Sequence, residues 1–520
     1  MRAKNDAGTP QRDVIAWLAS PSAHGGREVE RIDTHSAIVF LAGDRVLKLK
    51  RAVRYDYLDF STEPLRRQAC EAEVRINQRA APSIYRGVLA VTRGAGGALT
   101  LGGEDPAVDW VVDMSRFRQD DLFDRLAARG ALDLDLMAPL AAAIADFHRT
   151  ADRRDDQGGA AGMHWVIDGN AQGFADQGAG ILDQHAAAAL TTRALAELDR
   201  QAGRLERRRR EGRVRQCHGD LHLRNLVLID GRPTLFDAVE FDDRIAGGDV
   251  FYDLAFLLMD LWRRDLPRHA NVVLNAYVAI TDDVDGLALL PLFLSCRAAV
   301  RAKTSATSAR LQTDSDRRRE LEDLARRYLD MSRAMLDPPS AQLVAIGGLS
   351  GSGKTTLARA LAPDVGAAPG ALILRSDEIR KAVCGVAALD RLGPEGYTSA
   401  VTARVYDRIA RMAAVTLATG HAAIADAMYG APDRRAAIEA VSRAARAPFT
   451  GIWLDAPAPV LVSRVRARQT DASDADEAVV RRQLDQDVGT IGWHRVDASG
   501  DPDHVRQLAL DLAEQTRGVS

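Results

Sequence analysis

The stretch Cys217–Asp243, CHGDLHLRNLVLIDGRPTLFDAVEFDD, decides how the first part of the chain is read. Asp220 stands in a loop between apolar runs, Asn225 follows in the same loop, and Asp237 closes the next strand. A loop carboxylate can point into a cleft. Asn and Asp side chains supply the hard oxygens that magnesium prefers. Phosphoryl transfer to a hydroxyl needs the phosphate charge neutralised and the alcohol proton taken up. Asp220 is therefore the candidate base, with Asn225 and Asp237 as candidate magnesium ligands. One loop aspartate alone is ordinarily turn or capping chemistry; the ordered set argues otherwise.

Upstream, AIVFLAGDRVLKLK (residues 37–50) holds two apolar runs around Gly43-Asp44, a hairpin signal. Strand side chains alternate, so Val46, Lys48 and Lys50 share a face. A charged helix over residues 62–80 carries Glu71 and Glu73. A strand lysine paired with a glutamate on the following helix holds an ammonium against nucleotide phosphates. The residues alone leave Lys48 or Lys50, with Glu71 or Glu73, open for that pair. Further strands are expected over 84–114, with a glycine-rich hairpin at 94–103 and WVVDM at 110–114 as the last strand.

Beyond that strand the pattern is mainly helical. The glycine-rich residues 157–180 read as loop, and Arg207–Arg210 as a solvated helix end. Asp249 is expected to cap a buried helix with Asp253 in its first turn, both structural. Arg297 and Arg301 lie four apart on one helix face. That face reads either as solvated and basic or as an anion site for substrate. Asp337-Pro338-Pro339-Ser340 marks a boundary, because two prolines end the helix before a fresh apolar strand.

HGDLHLRN with LFDAVEFDD resembles the aminoglycoside-phosphotransferase and choline-kinase-like branch of the protein-kinase fold, over roughly residues 30–335. KLKRAVRYDYLDFS and YDLAFLLMDL are similar to a bacterial group within that branch whose members carry a P-loop kinase domain in the same chain. The resemblance implies Asp220 as base, Asn225 and Asp237 on magnesium, and Lys48 on the nucleotide phosphates beside Glu73. No GxGxxG precedes the lysine strand; THSAIVF (34–40) stands in its place. The helical lobe offers no acidic cluster assignable to an aminoglycoside, so the family name does not name the substrate.

After the boundary, Gly348-Leu349-Ser350-Gly351-Ser352-Gly353-Lys354-Thr355-Thr356 matches GxxxxGK[ST] between an apolar strand and a helix. Its backbone N–H groups cradle phosphates, Lys354 reaches the β/γ oxygens, and Thr355 ligates magnesium. Strand ends then place Asp377 and Asp426, and an arginine-rich helix carries Arg464 and Arg468. This order resembles the small-molecule and polynucleotide kinases of the P-loop class, including gluconate-kinase-like and zeta-toxin-like proteins. The resemblance implies Asp377 as base, Arg380 on the acceptor, Arg464 and Arg468 as a lid, and Asp426 near the magnesium shell.

The expected architecture is thus two domains. Residues 1–337 form an α+β bilobal protein-kinase-like fold, with a small lobe about 25–114 and a helical lobe about 115–337. Residues 341–520 form an α/β P-loop NTPase fold on a parallel sheet. The chain has 520 residues and a net charge of −3, which gives no reason to expect nucleic acid or an anionic membrane. From residue 340 onward 21 Lys and Arg meet 21 Asp and Glu, so the polynucleotide-kinase-like half is not basic. Four scattered cysteines suggest neither a disulfide framework nor a zinc site. No apolar run reaches membrane-spanning length, and a reducing cytoplasm is the expected compartment. The expected activity is transfer of the γ-phosphate of ATP or GTP, with Mg2+, to hydroxyls of small molecules at two sites. The competing reading makes the P-loop half a polynucleotide-kinase-like or zeta-toxin-like enzyme and the N-terminal half regulatory. The acceptors and the oligomeric state are not readable from the sequence.

Overall fold

The computed structural model describes residues 11–55, 58–387, 390–467 and 472–518. Its contacts separate two compact units. One joins the chain up to Gln172 with Leu195–Asp260; the other joins Gly173–Ala194 with the chain from Leu261 onward. The division does not follow the Asp337-Pro338 boundary, because the helices after Leu261 group with the P-loop sheet.

The first unit contains a six-stranded antiparallel sheet. Its order is Glu30–Asp33, Ala37–Ala42, Arg45–Lys50, Ala107–Ser115, Tyr85–Arg93 and Leu99–Leu101. Ala42 pairs with Arg45 across the Gly43-Asp44 turn, where Gly43 takes φ 61°, as a two-residue hairpin requires. Side-chain alternation sorts the lysine strand. Leu47 and Leu49 pack with Val14, Ile15 and Leu18 of the first helix. Val46 packs on the opposite face with Cys70 and Val74 of helix Glu63–Asn77. Lys48 and Lys50 share that second face, so their ammonium groups are directed toward the helix that carries Glu73.

The opening stretch folds as a loop and a hairpin. Leu226–Ile229 pairs antiparallel with Arg232–Leu235 through an Asp230-Gly231 turn, and Val214–Gln216 pairs with Gly247–Asp249. Two sequence expectations fail nearby. The glycine-rich stretch expected as loop contains helix Gly159–Asp176, because Met163, Ile167 and Phe174 recur at helical spacing and are buried. The expected solvated arginine run contains Arg208, which is 1% exposed and holds Asp249 through Nε at 2.7 Å and Nη2 at 2.9 Å. A planar guanidinium satisfies both carboxylate oxygens at once, which makes its burial tolerable.

The second unit is built on a five-stranded parallel sheet ordered Leu372–Arg375, Ala423–Asp426, Leu343–Gly348, Phe449–Asp455 and His494–Asp497. The P-loop strand Leu343–Gly348 is buried along its whole length, as a central parallel strand covered on both faces must be. The last strand, His494–Asp497, was not expected from the sequence. The edge strand Leu372–Arg375 is covered by helix Pro267–Thr281. Asn275 accepts the Ile373 N–H at 2.7 Å and donates to Ala371 O at 3.2 Å. Asn271, 2% exposed, donates to Pro369 O and Ala371 O. Side-chain amides thus replace a neighbouring strand, one way of closing a sheet edge. Among the described residues no helix is long and apolar enough to cross a membrane.

Candidate functional site

In the first unit Lys48 is the lysine placed between two carboxylates. Its Nζ donates to Glu73 Oε1 at 2.8 Å and to Asp237 Oδ1 at 2.6 Å. Lys50, 3% exposed, is ion-paired with the second Glu73 oxygen and with Glu240. Glu71 is exposed and pairs with Arg67 on its own helix, so the alternative partner is excluded by position. Burial alone would raise the Glu73 carboxyl, but the ammonium groups of Lys48 and Lys50 outweigh it and hold it at about 2. Burial likewise works against the charge on Lys48, and Asp237 with Glu73 reverses it, so its pKa lies well above the usual lysine value. Burial pushes Glu240 upward despite Lys50.

Asp237 takes φ 59° directly after the hairpin strand. Its N–H donates to the Tyr85 hydroxyl at 3.1 Å, and the Ala238 N–H donates to Asn77 Oδ1 at 2.8 Å. Helix Glu63–Asn77 therefore supplies both Glu73 and the anchor that sets the backbone beside Asp237. The Asp237 side chain remains 46% exposed, enough to meet a cation from solvent. Asn225 Nδ2 donates to Asp220 O and Oδ2, each at 3.0 Å, which leaves the amide oxygen as its ligating atom. Two ammonium groups against the carboxylates of Glu73, Glu240 and Asp237 leave this cluster net negative. That balance and the oxygen donors fit a magnesium ion.

The loop that carries Asp220 is held from beneath by residues read from sequence as structural or not singled out. Asp253 accepts the N–H of Gly219 on Oδ1 at 2.9 Å, and on Oδ2 the N–H of His218 at 3.0 Å and His148 Nε2 at 3.1 Å. Asp260 accepts the Leu223 N–H at 3.2 Å. His218 is buried, which depresses its pKa, and its Nε2 donates to Phe236 O at 2.9 Å. The recurrence of Asp249, Asp253 and Asp260 on an otherwise apolar stretch was the available signal, because carboxylates there must find donors. At residues 34–36, in place of a glycine-rich loop, the Thr34 hydroxyl exchanges hydrogen bonds with Ala37 at 3.0 Å.

In the second unit Gly348–Thr356 wraps the start of helix Lys354–Leu361. Gly351 has φ 84° and a Cβ there would stand 2.5 Å from Leu461 O, so only glycine fits the loop. Lys354 Nζ donates to Leu349 O at 2.9 Å, and the Thr355 hydroxyl donates to Asp426 Oδ2 at 2.6 Å. Burial raises the Asp426 carboxyl, against the pull of Lys354 and Arg375 and with a push from Asp377. A bound dication would relieve that penalty. The Ser350 N–H donates to Gln483 Oε1 at 2.8 Å, and the Ser352 hydroxyl is buried without a partner among the described residues. A cleft of about 560 Å³ opens beside Ser352, Gly353, Thr356 and Arg464, within the size range of small-molecule sites.

The remaining sequence candidates divide. Asp377 is half-buried in the first turn of helix Ser376–Cys384. Arg380 is buried, donates to Gly396 O at 2.8 Å and to Thr402 Oγ1 at 3.2 Å, and covers the Tyr397 ring at 4.9 Å. Arg464 lines the cleft, whereas Arg468 lies outside the described residues. Arg297 is 4% exposed, which overturns its reading as part of a solvated face, and Arg301 packs over Tyr328 at 5.8 Å. Asp474 was not singled out from sequence. It accepts hydrogen bonds from Lys381 Nζ, the Tyr397 hydroxyl and the Leu392 N–H, tying three segments near Arg380.

Residues 66–290 match the model of the phosphotransferase enzyme family, and residues 343–486 match an AAA domain model. Uncharacterized proteins of Mycobacterium tuberculosis and Mycobacterium bovis are 30% identical over 496 residues, covering 90% of this chain and 92% of theirs. The thymidylate kinase of Xanthomonas euvesicatoria is 33% identical over 188 residues, covering 33% of this chain and 82% of its own. Among solved structures, choline kinase from Cryptosporidium parvum has a TM-score of 0.40 at 11% identity, over 63% of this chain and 96% of that one. A gluconokinase from Sinorhizobium meliloti has a TM-score of 0.26 at 18% identity, over 35% of this chain and 96% of that one.

Proposed function

We propose, from the premise that the chain belongs to the same family as these mycobacterial proteins, that it is a phosphotransferase with two nucleotide sites. Each transfers the γ-phosphate of ATP to a hydroxyl group of a small molecule. The observation that carries the reading is the ammonium of Lys48 held between Glu73 and Asp237 in the unit that also pairs Asp220 with Asn225. The P-loop unit supports a second, separate site through Lys354 and the Thr355–Asp426 pair.

At the first site Lys48 neutralises phosphate charge, and Glu73 keeps the ammonium in place. Asp237 and the Asn225 amide oxygen are the residues that would hold magnesium, which supplies charge neutralisation on the phosphates when bound. Asp220 accepts the proton of the attacking hydroxyl, with Asn225 Nδ2 orienting its carboxylate. At the P-loop site the backbone N–H groups and Lys354 cradle the phosphates. Thr355 and Asp426 would hold the cation, Asp377 takes the acceptor proton, and Arg464 closes on the phosphates. Arg380 positions the turn Pro394–Tyr397 through the Gly396 carbonyl.

The likeness to thymidylate kinase favours one further reading of the P-loop site, in which thymidylate is the acceptor. Transfer from γ-labelled ATP, assayed across hydroxyl-bearing metabolites and thymidylate with Mg2+, tests both. Labelled product from a hydroxyl acceptor supports the main reading, and labelled thymidine diphosphate supports the second. A full panel without labelled product contradicts the proposal.

A further inference from the structure

The cleft beside the P-loop is not lined by the P-loop half alone. Besides Ser352, Gly353 and Thr356, its walls include Pro267 and Arg268 at the start of helix Pro267–Thr281, well before the Asp337-Pro338 boundary. That helix is fixed in place. Arg268, Asn271 and Asn275 fall on one face at i, i+3 and i+7. The two asparagines hold the backbone of Pro369, Ala371 and Ile373. At the far end of the helix, Asp282 meets Arg408 at 3.4 Å. The position of Arg268 at the cleft is therefore a consequence of sheet-edge hydrogen bonds.

Phosphates held at the P-loop leave the rest of the same cleft for the nucleoside. Its lining includes the apolar Pro363, Ala498 and Val505, the carboxylates of Asp364 and Asp503, and three arginines, Arg268, Arg464 and Arg506. Arg506 is ion-paired with Asp364, and its Nε donates to Ala360 O at 3.1 Å. Arg464 lies 4.0 Å from where a Gly353 Cβ would stand, at the phosphate loop. Arg268 is exposed and makes no ion pair among the described residues. A guanidinium without an ion-pair partner beside apolar side chains suits the face of an aromatic ring, where it adds attraction without a fixed hydrogen-bond pattern.

We propose that Arg268 recognises the base of the nucleotide bound at the P-loop, packing its guanidinium on the purine face, so that this site is completed by a helix from before the Asp337-Pro338 boundary. The inference rests on the P-loop reading given above and adds to it a specificity residue from outside the P-loop half.

Calorimetric titration of the full chain with ATP and with inorganic tripolyphosphate, each with Mg2+, tests it. The P-loop signal is the part of binding that Lys354→Ala removes. Arg268→Ala is expected to weaken that part about three- to tenfold for ATP, the range of a cation–π contact, and to leave tripolyphosphate affinity and the melting temperature unchanged. Arg268→Lys is expected to restore part of the ATP affinity. Unchanged ATP affinity in Arg268→Ala, or equal losses for ATP and tripolyphosphate, overturns the inference alone. If Lys354→Ala removes no part of the ATP binding, the P-loop reading is overturned and this inference with it.

Discussion

Lys48 Nζ lies 2.6 Å from Asp237 Oδ1, across 189 residues of sequence, while its strand neighbour Lys50 is turned to Glu240 and the far oxygen of Glu73. Two lysines on one strand face therefore have different work. Lys48→Met should lower ATP affinity at the first site by at least about tenfold and cost less stability than Lys50→Met, since Lys48 is 16% exposed against 3% and one of its carboxylate partners, Asp237, reaches solvent. Lys50→Met should destabilise the first unit by about 3–5 kcal/mol, because it strands buried carboxylate charge. ATP titration and chemical denaturation separate the two, and the reverse pattern would mean the phosphate lysine is Lys50.

Asp253 gathers two backbone N–H groups and His148 beneath the loop that presents Asp220. Each donor left unsatisfied in the interior costs about 1–3 kcal/mol. Asp253→Ala should lower the melting temperature and, at temperatures where it is folded, reduce kcat at the first site with ATP affinity kept. A variant that melts early yet turns over at the wild-type rate would show that the loop needs no such support.

Asn275 closes the edge of the parallel sheet by pairing with Ile373 N–H and Ala371 O. Asn275→Ala leaves the Ile373 N–H without its acceptor, while Ala371 O keeps its bond from Asn271, and should cost about 1–3 kcal/mol in the P-loop unit, read as a lowered denaturation midpoint. No change in midpoint would mean that the helix does not stabilise this edge.

His421 is buried, which depresses its pKa to about 4 even though Nε2 donates to Gly370 O at 2.8 Å. A base with a lowered folded-state pKa favours folding fully above its unfolded value near 6.5. Between there and about 4 the unfolded chain binds more protons, so stability falls as pH falls. The loss should approach about 3 kcal/mol at 1.36 kcal/mol per pKa unit. His421→Asn, which cannot titrate, should flatten the stability difference over that window. Parallel stability profiles for both chains across pH 4–6.5 would contradict it.

The P-loop was legible because its chemistry is contiguous: GLSGSGKTT carries its glycines, lysine and threonine in one run. HGDLHLRN was legible for the same reason, and strand alternation put Lys48 on the face of Glu73. What could not be read were relations made by tertiary packing. Arg208 meets Asp249, and Asp253 meets His218, through burial that no local pattern records. The glycine-rich 157–180 looked like loop by composition, although Met163, Ile167 and Phe174 already had helical spacing. The Asp337-Pro338 break is a true helix end, yet Asn271 and Asn275 tie an earlier helix to the P-loop sheet.

The central claim is that one chain carries two separate phosphotransfer sites. The most direct test follows labelled products formed from γ-labelled ATP and a metabolite extract by the full chain, Asp220→Asn, Lys354→Ala and the double variant. Each single variant is expected to lose its own subset of products, with losses of about 10²–10⁴ in rate at the Asp220 site, and the double variant all of them. Products that persist unchanged in both single variants would contradict the account.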